Sequence, residues 1–309
     1  MSERILLTGA SGFVGRHVLD DLAARGYRVR TAGRSATPAS PDVEHVAIGD
    51  LGVPVDWQPL LDGVDHVVHS AGLAHADGNI PEERYRAVNT EATLALARAA
   101  QAAGVRRFIF LSSIRAQSGP ISEQPLNEVD TPAPSDAYGR SKLAAEQGLA
   151  GLDLDWVALR PVLVYGAGVK ANMAALLKLA KLPVPLPLGG LSARRSLLAI
   201  ENLSAAIAFS LTQACPARRS YIVSDPEPLS VAQMLAAMRA GLGRGPGLIP
   251  VPSALLALAA RLAGRSAAYE RLANGLVASP AALIKAGWRP PAETKVALAQ
   301  LAASRADAG

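Results

Sequence analysis

Arg4-Ile5-Leu6-Leu7-Thr8 runs directly into Gly9-Ala10-Ser11-Gly12-Phe13-Val14-Gly15, and this stretch decides the fold. The first five residues are a short, mostly apolar run ended by glycine, the pattern of a buried strand. From Phe13 to Ala24, residues Val14, Val18, Leu19 and Leu22 recur on one helical face. A glycine loop between strand and helix lets the backbone turn tightly and approach a pyrophosphate. The helix start adds unpaired N–H groups and the positive end of its dipole. The spacing is GxxGxxG rather than GxGxxG, and its strand–loop–helix context makes it a dinucleotide signal. Gly9, Ser11, Gly12, Phe13, Val14 and Gly15 are candidate cofactor contacts.

Beyond this unit the alternation continues. Strands are expected at Tyr27–Ala32, Val43–Ile48, Asp65–His69, Arg107–Leu111 and Asp155–Leu159. A long Ala/Leu-rich helix is expected over Glu82–Ala103, closed by Gly104. A second helix follows Ser135-Asp136 to about Leu149, with a side chain available as cap. Strands alternating with helices imply parallel βαβ units: an α/β, Rossmann, doubly wound parallel sheet. After about Tyr165 the pattern changes, with prolines at 183, 185 and 187 beside Gly189-Gly190. Residues 1–165, with 194–214 returning, read as the dinucleotide domain. Residues 166–193 and 215–309 read as a smaller, discontinuous C-terminal substrate lobe.

The chain has 309 residues, half of them hydrophobic and 18% charged, which excludes wholesale disorder. Its net charge of +5 is too thin and dispersed for a nucleic-acid-binding face. The lone Cys215 excludes an internal disulfide and the CxxC metal frameworks. The five histidines (17, 45, 66, 69 and 75) have no HExxH spacing, so they read as structural and no metal is expected. The N-terminus enters a strand directly, which makes the cytoplasm the default compartment. Val251–Gly264 is apolar, yet too short to span a bilayer, and it contains Arg261. It reads as a buried or partner-facing helix, with peripheral membrane contact as the lesser alternative.

The second strand ends in Gly33-Arg34-Ser35, where an NAD site normally carries an acid for the ribose hydroxyls. Arg34 suits a 2′-phosphate, which favours NADP(H) and leaves NAD(H) open; stacking on adenine is the other reading. Asp50-Leu51 ends the third strand, where a carboxylate can accept the adenine amino group. Tyr138 and Lys142 stand at i and i+4, on one helical face. A free phenol near pKa 10 is a poor base at neutral pH, and a nearby ammonium favours its phenolate. Tyr138 can then exchange a carbinol proton while hydride moves to or from a nicotinamide. Ser112-Ser113 ends a strand upstream, where a hydroxyl can bond the reacting oxygen.

These residues resemble the extended short-chain dehydrogenase/reductase family, in its nucleotide-sugar epimerase and 4-ketoreductase branch. The likeness rests on TGASGFVG (8–15), GDL (49–51), HSAG (69–72), VNTEATLAL (88–96), FIFLSS (108–113), YGRSK (138–142), LRPVLVYG (159–166), RRSLLAIENL (194–203) and AGWRPP (286–291). It implies Ser113, Tyr138 and Lys142 as the catalytic set. Ala71, Gly72, Ser112 and Pro161 would lie against the dinucleotide, and Lys142 would bond its ribose. Asn89 would bond main chain near the cofactor. Asn172 and Arg195 would contact the diphosphate of a UDP-sugar, Met173 would also meet the substrate, and the run Leu186 to Leu188 would flank the uracil. The later pieces are similar to bacterial enzymes of surface-polysaccharide synthesis. The helices 82–103 and 136–149 would form a dimer interface, so a homodimer is expected.

Two reactions fit this set. One is NADPH reduction of a UDP-4-keto-6-deoxy-N-acetylhexosamine at C4, favoured by Arg34. The alternative is a UDP-hexose or UDP-N-acetylhexosamine 4-epimerase with retained NAD. Ile114-Arg115 after the serines argues against a dehydratase, which usually carries an Asp-Glu pair there. A non-catalytic dinucleotide sensor would need a broken set, and this one is complete.

Overall fold

The computed structural model describes residues 2–35, 43–74, 80–169 and 171–304; His75 lies outside them. Elements run in the order β1 (Arg4–Thr8), α1 (Phe13–Ala24), β2 (Arg28–Gly33), β3 (Glu44–Ala47), α2 (Gln58–Leu61), β4 (His66–His69), α3 (Glu82–Tyr85), α4 (Ala92–Ala102), β5 (Arg107–Leu111), α5 (Ala137–Ala150), β6 (Trp156–Pro161) and β7 (Leu163–Tyr165). They continue with α6 (Ala171–Lys181), β8 (Arg194–Arg195), β9 (Leu197–Ala199), α7 (Ile200–Leu211), β10 (Arg219–Val223), β11 (Leu229–Ser230), α8 (Val231–Gly241), α9 (Ser253–Leu262), α10 (Ser266–Ala273), α11 (Ala281–Ala286) and α12 (Thr294–Ser304).

Seven strands form the main sheet in the order β10-β6-β5-β4-β1-β2-β3. Every pairing in it is parallel. Alternation along each strand fills both faces. Ile5 and Leu7 face a core shared with Val18, Leu22, Leu203 and Ile207. Leu6 faces the opposite core, shared with Leu96, Phe108, Phe110 and Leu149. The order reverses at β1, so the crevice above β1 and β4 is the switch point where such sheets receive ligands. The glycine loop, Ser70–Gly72, Ser112-Ser113 and Val162 follow the carboxyl ends of their strands there.

Two expectations are corrected. The helix expected over Glu82–Ala103 is interrupted by a π-helical turn at Arg86–Glu91, which contains the buried Asn89. And β10, within the stretch assigned to the lobe, is the seventh strand of the sheet, paired with β6. Its Tyr221, Ile222 and Val223 belong to the core under α7. Leu177, Leu235 and Leu298 of the expected lobe gather in a further cluster, the lobe cluster, which Tyr165 and Leu197 of the stretches assigned to the dinucleotide domain also join. Phe13, at the start of α1, packs against both the sheet core and the lobe cluster.

Candidate active site

The turn after β1 is a cradle that side chains would fill. Gly9 has φ +76, and a Cβ there would stand 2.7 Å from the Ala71 nitrogen. A Cβ on Gly15 would stand 2.1 Å from the Gly9 carbonyl oxygen, so α1 can begin this close to the loop only with glycine. Ser11 and Gly12 are exposed at the mouth of the loop. This geometry fits a dinucleotide pyrophosphate at the start of α1. Gly9→Ala combines a left-handed backbone with a main-chain clash. It should weaken NAD(H) or NADP(H) binding by on the order of tenfold or more, read by fluorescence titration.

A buried relay fixes the neighbouring turn. The Thr93 hydroxyl donates to the Asn89 carbonyl oxygen at 2.8 Å, so it accepts from His69 Nε2 at 3.0 Å. His69 Nδ1 then accepts from the Thr8 hydroxyl at 2.7 Å, and Thr8 Oγ1 accepts the Ala71 N–H at 3.2 Å. Burial, with Lys142 nearby, pulls the His69 pKa down to about 3, so the ring is neutral. Asn89 Oδ1 accepts the Leu73 N–H at 2.8 Å, while its Nδ2 donates to the Leu73 carbonyl and to Ser141 Oγ. The main chain at Ala71-Gly72 is thereby held against β1.

At the adenosine end, Arg34 is exposed just past β2. Asp50 accepts the Gly52 N–H at 2.7 Å and pairs with Arg84. The Gly52 hydrogen bond and Arg84, with a smaller contribution from Arg34, hold its carboxyl below the usual range. Leu51 is buried beneath it, in the core under α4.

Tyr138, Ser113 and Lys142 come together by a local device. Asp136 caps α5, accepting the Gly139 N–H at 2.7 Å, and pairs with Arg115 in the turn after Ser113. A Cβ on Gly139 would stand 2.3 Å from the Arg115 carbonyl oxygen, so the helix start sits directly on that turn. The Tyr138 hydroxyl and Ser113 are hydrogen-bonded. Lys142 is 4% exposed; its Nζ donates to the Leu111 carbonyl at 2.9 Å and lies 4.7 Å from the Phe110 ring centre. The Tyr85 ring is 6.1 Å from that of Tyr138.

The electrostatics differ from the sequence expectation. Burial pushes the Tyr138 phenol above its ordinary value, while the Ser113 hydrogen bond and Arg115 pull the other way. Lys142 is itself brought down to about 8 by burial, with the Glu146 carboxylate opposing that shift.

Ser112 is placed differently from expectation. Its hydroxyl donates to Glu146, away from the crevice. Glu146 accepts from Ser220 at 2.7 Å and pairs with Arg160, both charged side chains being almost fully buried. Arg160 also bonds Gln117. Glu146 lies one helical turn beyond Lys142, a spacing that could have exposed it in the sequence. Arg160 precedes Pro161, which is buried at the end of β6.

Asn172, on α6, is exposed, and Arg195, in β8, is half-buried and donates to the Asn274 carbonyl at 2.6 Å. Met173 and Leu186 are buried in the lobe cluster. Both Leu186 main-chain groups are taken by Gly247 and Ile249. Both apolar side chains are packed within that cluster.

With this geometry, the chain matches the NAD-dependent epimerase/dehydratase family over residues 5–223. It belongs to that family. The enzyme is 35% identical over 302 residues to a UDP-glucose 4-epimerase of Vibrio cholerae, covering 94% of this chain and 92% of the relative. A UDP-N-acetylglucosamine 4-epimerase from Bacillus cereus shares the fold at TM-score 0.78 and 20% identity, over 97% of this chain and 98% of that one. A Thermus thermophilus UDP-glucose 4-epimerase solved with NAD gives TM-score 0.72 at 25% identity, over 97% of each chain.

Proposed function

We propose that the enzyme acts at C4 of a UDP-sugar and runs as a 4-epimerase of a UDP-hexose or UDP-N-acetylhexosamine on a retained nicotinamide dinucleotide. The observation carrying the redox chemistry is the Ser113–Tyr138 hydrogen bond with Lys142 buried one helical turn on. The end-to-end similarity to the Vibrio cholerae epimerase supports epimerisation over the reductase reading that Arg34 put first.

A nicotinamide dinucleotide, when bound, supplies the hydride acceptor and donor and a ring that is positive when oxidised. The glycine loop and the Ala71-Gly72 turn would hold it, with Lys142 at its ribose. Tyr138 takes the proton of the C4 hydroxyl in the oxidative half and returns it in the reductive half. Ser113 donates a hydrogen bond to the same oxygen and so polarises the ketone. Asn172 and Arg195 would meet the diphosphate, and the lobe would turn the sugar's other face inward between the halves. We also propose a homodimer through α4 and α5, which sedimentation checks.

Arg34 favours a second reading, reduction of a UDP-4-keto-6-deoxy-N-acetylhexosamine by NADPH. Protein purified without added dinucleotide separates the two. Retained NAD, with interconversion of UDP-glucose or UDP-N-acetylglucosamine and its C4 epimer, supports the epimerase. A cofactor-free protein that consumes NADPH only with a 4-keto sugar overturns it. Arg34→Asp should shift preference from NADP(H) toward NAD(H) by on the order of tenfold, because the guanidinium is the group suited to a 2′-phosphate. An unaltered ratio of the two affinities would show that Arg34 does not read that phosphate.

A further inference from the structure

The apolar stretch after Val251 forms α9, and none of its residues is buried. This overturns the buried alternative. Its inner side is anchored, since Leu256 packs on the lobe cluster together with Tyr269 and Leu272 of α10. Its outer side presents Leu255, Leu258 and Leu262, at 57%, 53% and 81% exposure. Their spacing of three and four places them on one helical stripe. No helix among the described residues is long and apolar enough to cross a membrane, so α9 presents this stripe from the surface.

The stripe does not stand alone. The segment from Leu182 to Gly190 pairs through main-chain hydrogen bonds with Gly247 and Ile249, just before α9. It contributes exposed Leu182 and Val184, and its partner contributes exposed Ile249. Six of the eleven exposed large hydrophobic side chains among the described residues therefore belong to this end of the lobe. A concentration of that kind marks an interaction surface, whereas scattered apolar side chains do not.

Charge identifies the partner. Residues 171–190 and 244–273 hold six basic residues (Lys178, Lys181, Arg244, Arg261, Arg265 and Arg271) against one acid, Glu270. Their net charge of +5 equals that of the whole chain, so all other residues together sum to zero. Lys178, Arg244, Arg261 and Arg265 are exposed. Leucines along one stripe of a short helix, with Arg261 in its last turn and Arg265 just beyond it, fit a helix lying in a lipid interface. Basic side chains beside it match a negatively charged leaflet.

We propose that this end of the lobe docks on the surface of an anionic lipid bilayer, with α9 in the interface plane and Leu255, Leu258 and Leu262 facing the acyl chains. The full chain is sedimented with vesicles of equal parts phosphatidylcholine and phosphatidylglycerol, and with phosphatidylcholine alone. Binding is expected to the anionic vesicles and to weaken as salt shortens the Debye length. The paired substitution Leu258→Glu and Leu262→Glu should cut the bound fraction by on the order of tenfold or more. Val129→Glu, at an exposed apolar position outside these segments, should leave it unchanged. Thermal unfolding and dinucleotide titration show that both variants are folded. Absence of binding to anionic vesicles overturns the proposal, as does equal binding by the paired variant or equal loss with Val129→Glu. Concentration-dependent self-association abolished by the paired substitution, without vesicle binding, makes the occupant a second copy of the chain and likewise overturns it.

Discussion

Tyr138→Phe is expected to lower kcat by about 10²–10⁴-fold, the usual worth of a positioned acid–base group. Dinucleotide affinity should stay nearly unchanged. The substitution removes one oxygen from a ring that is otherwise retained in its place. The ring lies tilted toward that of Tyr85 and rides on a helix whose start is fixed by Asp136, Gly139 and Arg115, none of which is altered. The hydroxyl it removes is the one bonded to Ser113. Burial keeps that hydroxyl a phenol at neutral pH, so the resting side chain is a proton donor. To accept a proton it draws on the Ser113 hydrogen bond and Arg115, both of which favour its ionised form. Ser113→Ala should therefore slow the reaction too, and displace the Tyr138-dependent limb of the pH–rate profile upward. Stopped-flow turnover and a titration of dinucleotide fluorescence check both. Unchanged turnover in Tyr138→Phe would remove it from the reaction.

The main sheet was legible because its signals are local. Each strand is a short apolar run beside a turn residue, and the glycine loop ties the first strand to a helix. Ser113, Tyr138 and Lys142 were legible for the same reason, lying at a strand end and on one helical face. What was not legible depends on distant chain segments. β10 reads as one more short strand, and only pairing with β6 makes it part of the sheet. Ser112 and Ser113 are alike in sequence, yet one hydroxyl meets Glu146 and the other Tyr138. The π turn at Arg86–Glu91 adds a residue to a pattern that otherwise reads as one helix. His69 reads as an isolated histidine, and its role in holding the Ala71 main chain appears only once Thr8 and Thr93 lie on either side of it. The sign of the Tyr138 shift was also out of reach, since it follows from burial and not from the i, i+4 spacing to Lys142.

Glu146→Ala carries the second large effect, and it acts on stability and chemistry together. Glu146 and Arg160 form a buried ion pair at 2.6 Å, with side-chain exposures of 4% and 6%. Removing the carboxylate leaves a buried guanidinium with Gln117 as its remaining side-chain partner, and strands the Ser112 and Ser220 hydroxyls. Breaking a buried pair from one side costs about 3–5 kcal/mol, which a denaturant titration reads directly. The chemical consequence runs through Lys142. Burial has brought that amine to about 8, and Glu146 is the group holding it up. Without the carboxylate the amine falls further, so Lys142 loses its proton at lower pH. The alkaline limb of kcat/KM should then move to lower pH. Glu146→Gln, which keeps the volume and can still accept from one of the two serines, should show the same movement with less loss of stability. Replacing both partners, Glu146→Leu with Arg160→Leu, separates the two effects. A well-packed apolar pair recovers much of the lost stability. It does not restore the charge, so the pH limb should stay displaced. A double variant that regained both stability and the original pH profile would confine Glu146 to holding the fold and leave the Lys142 proton to burial alone.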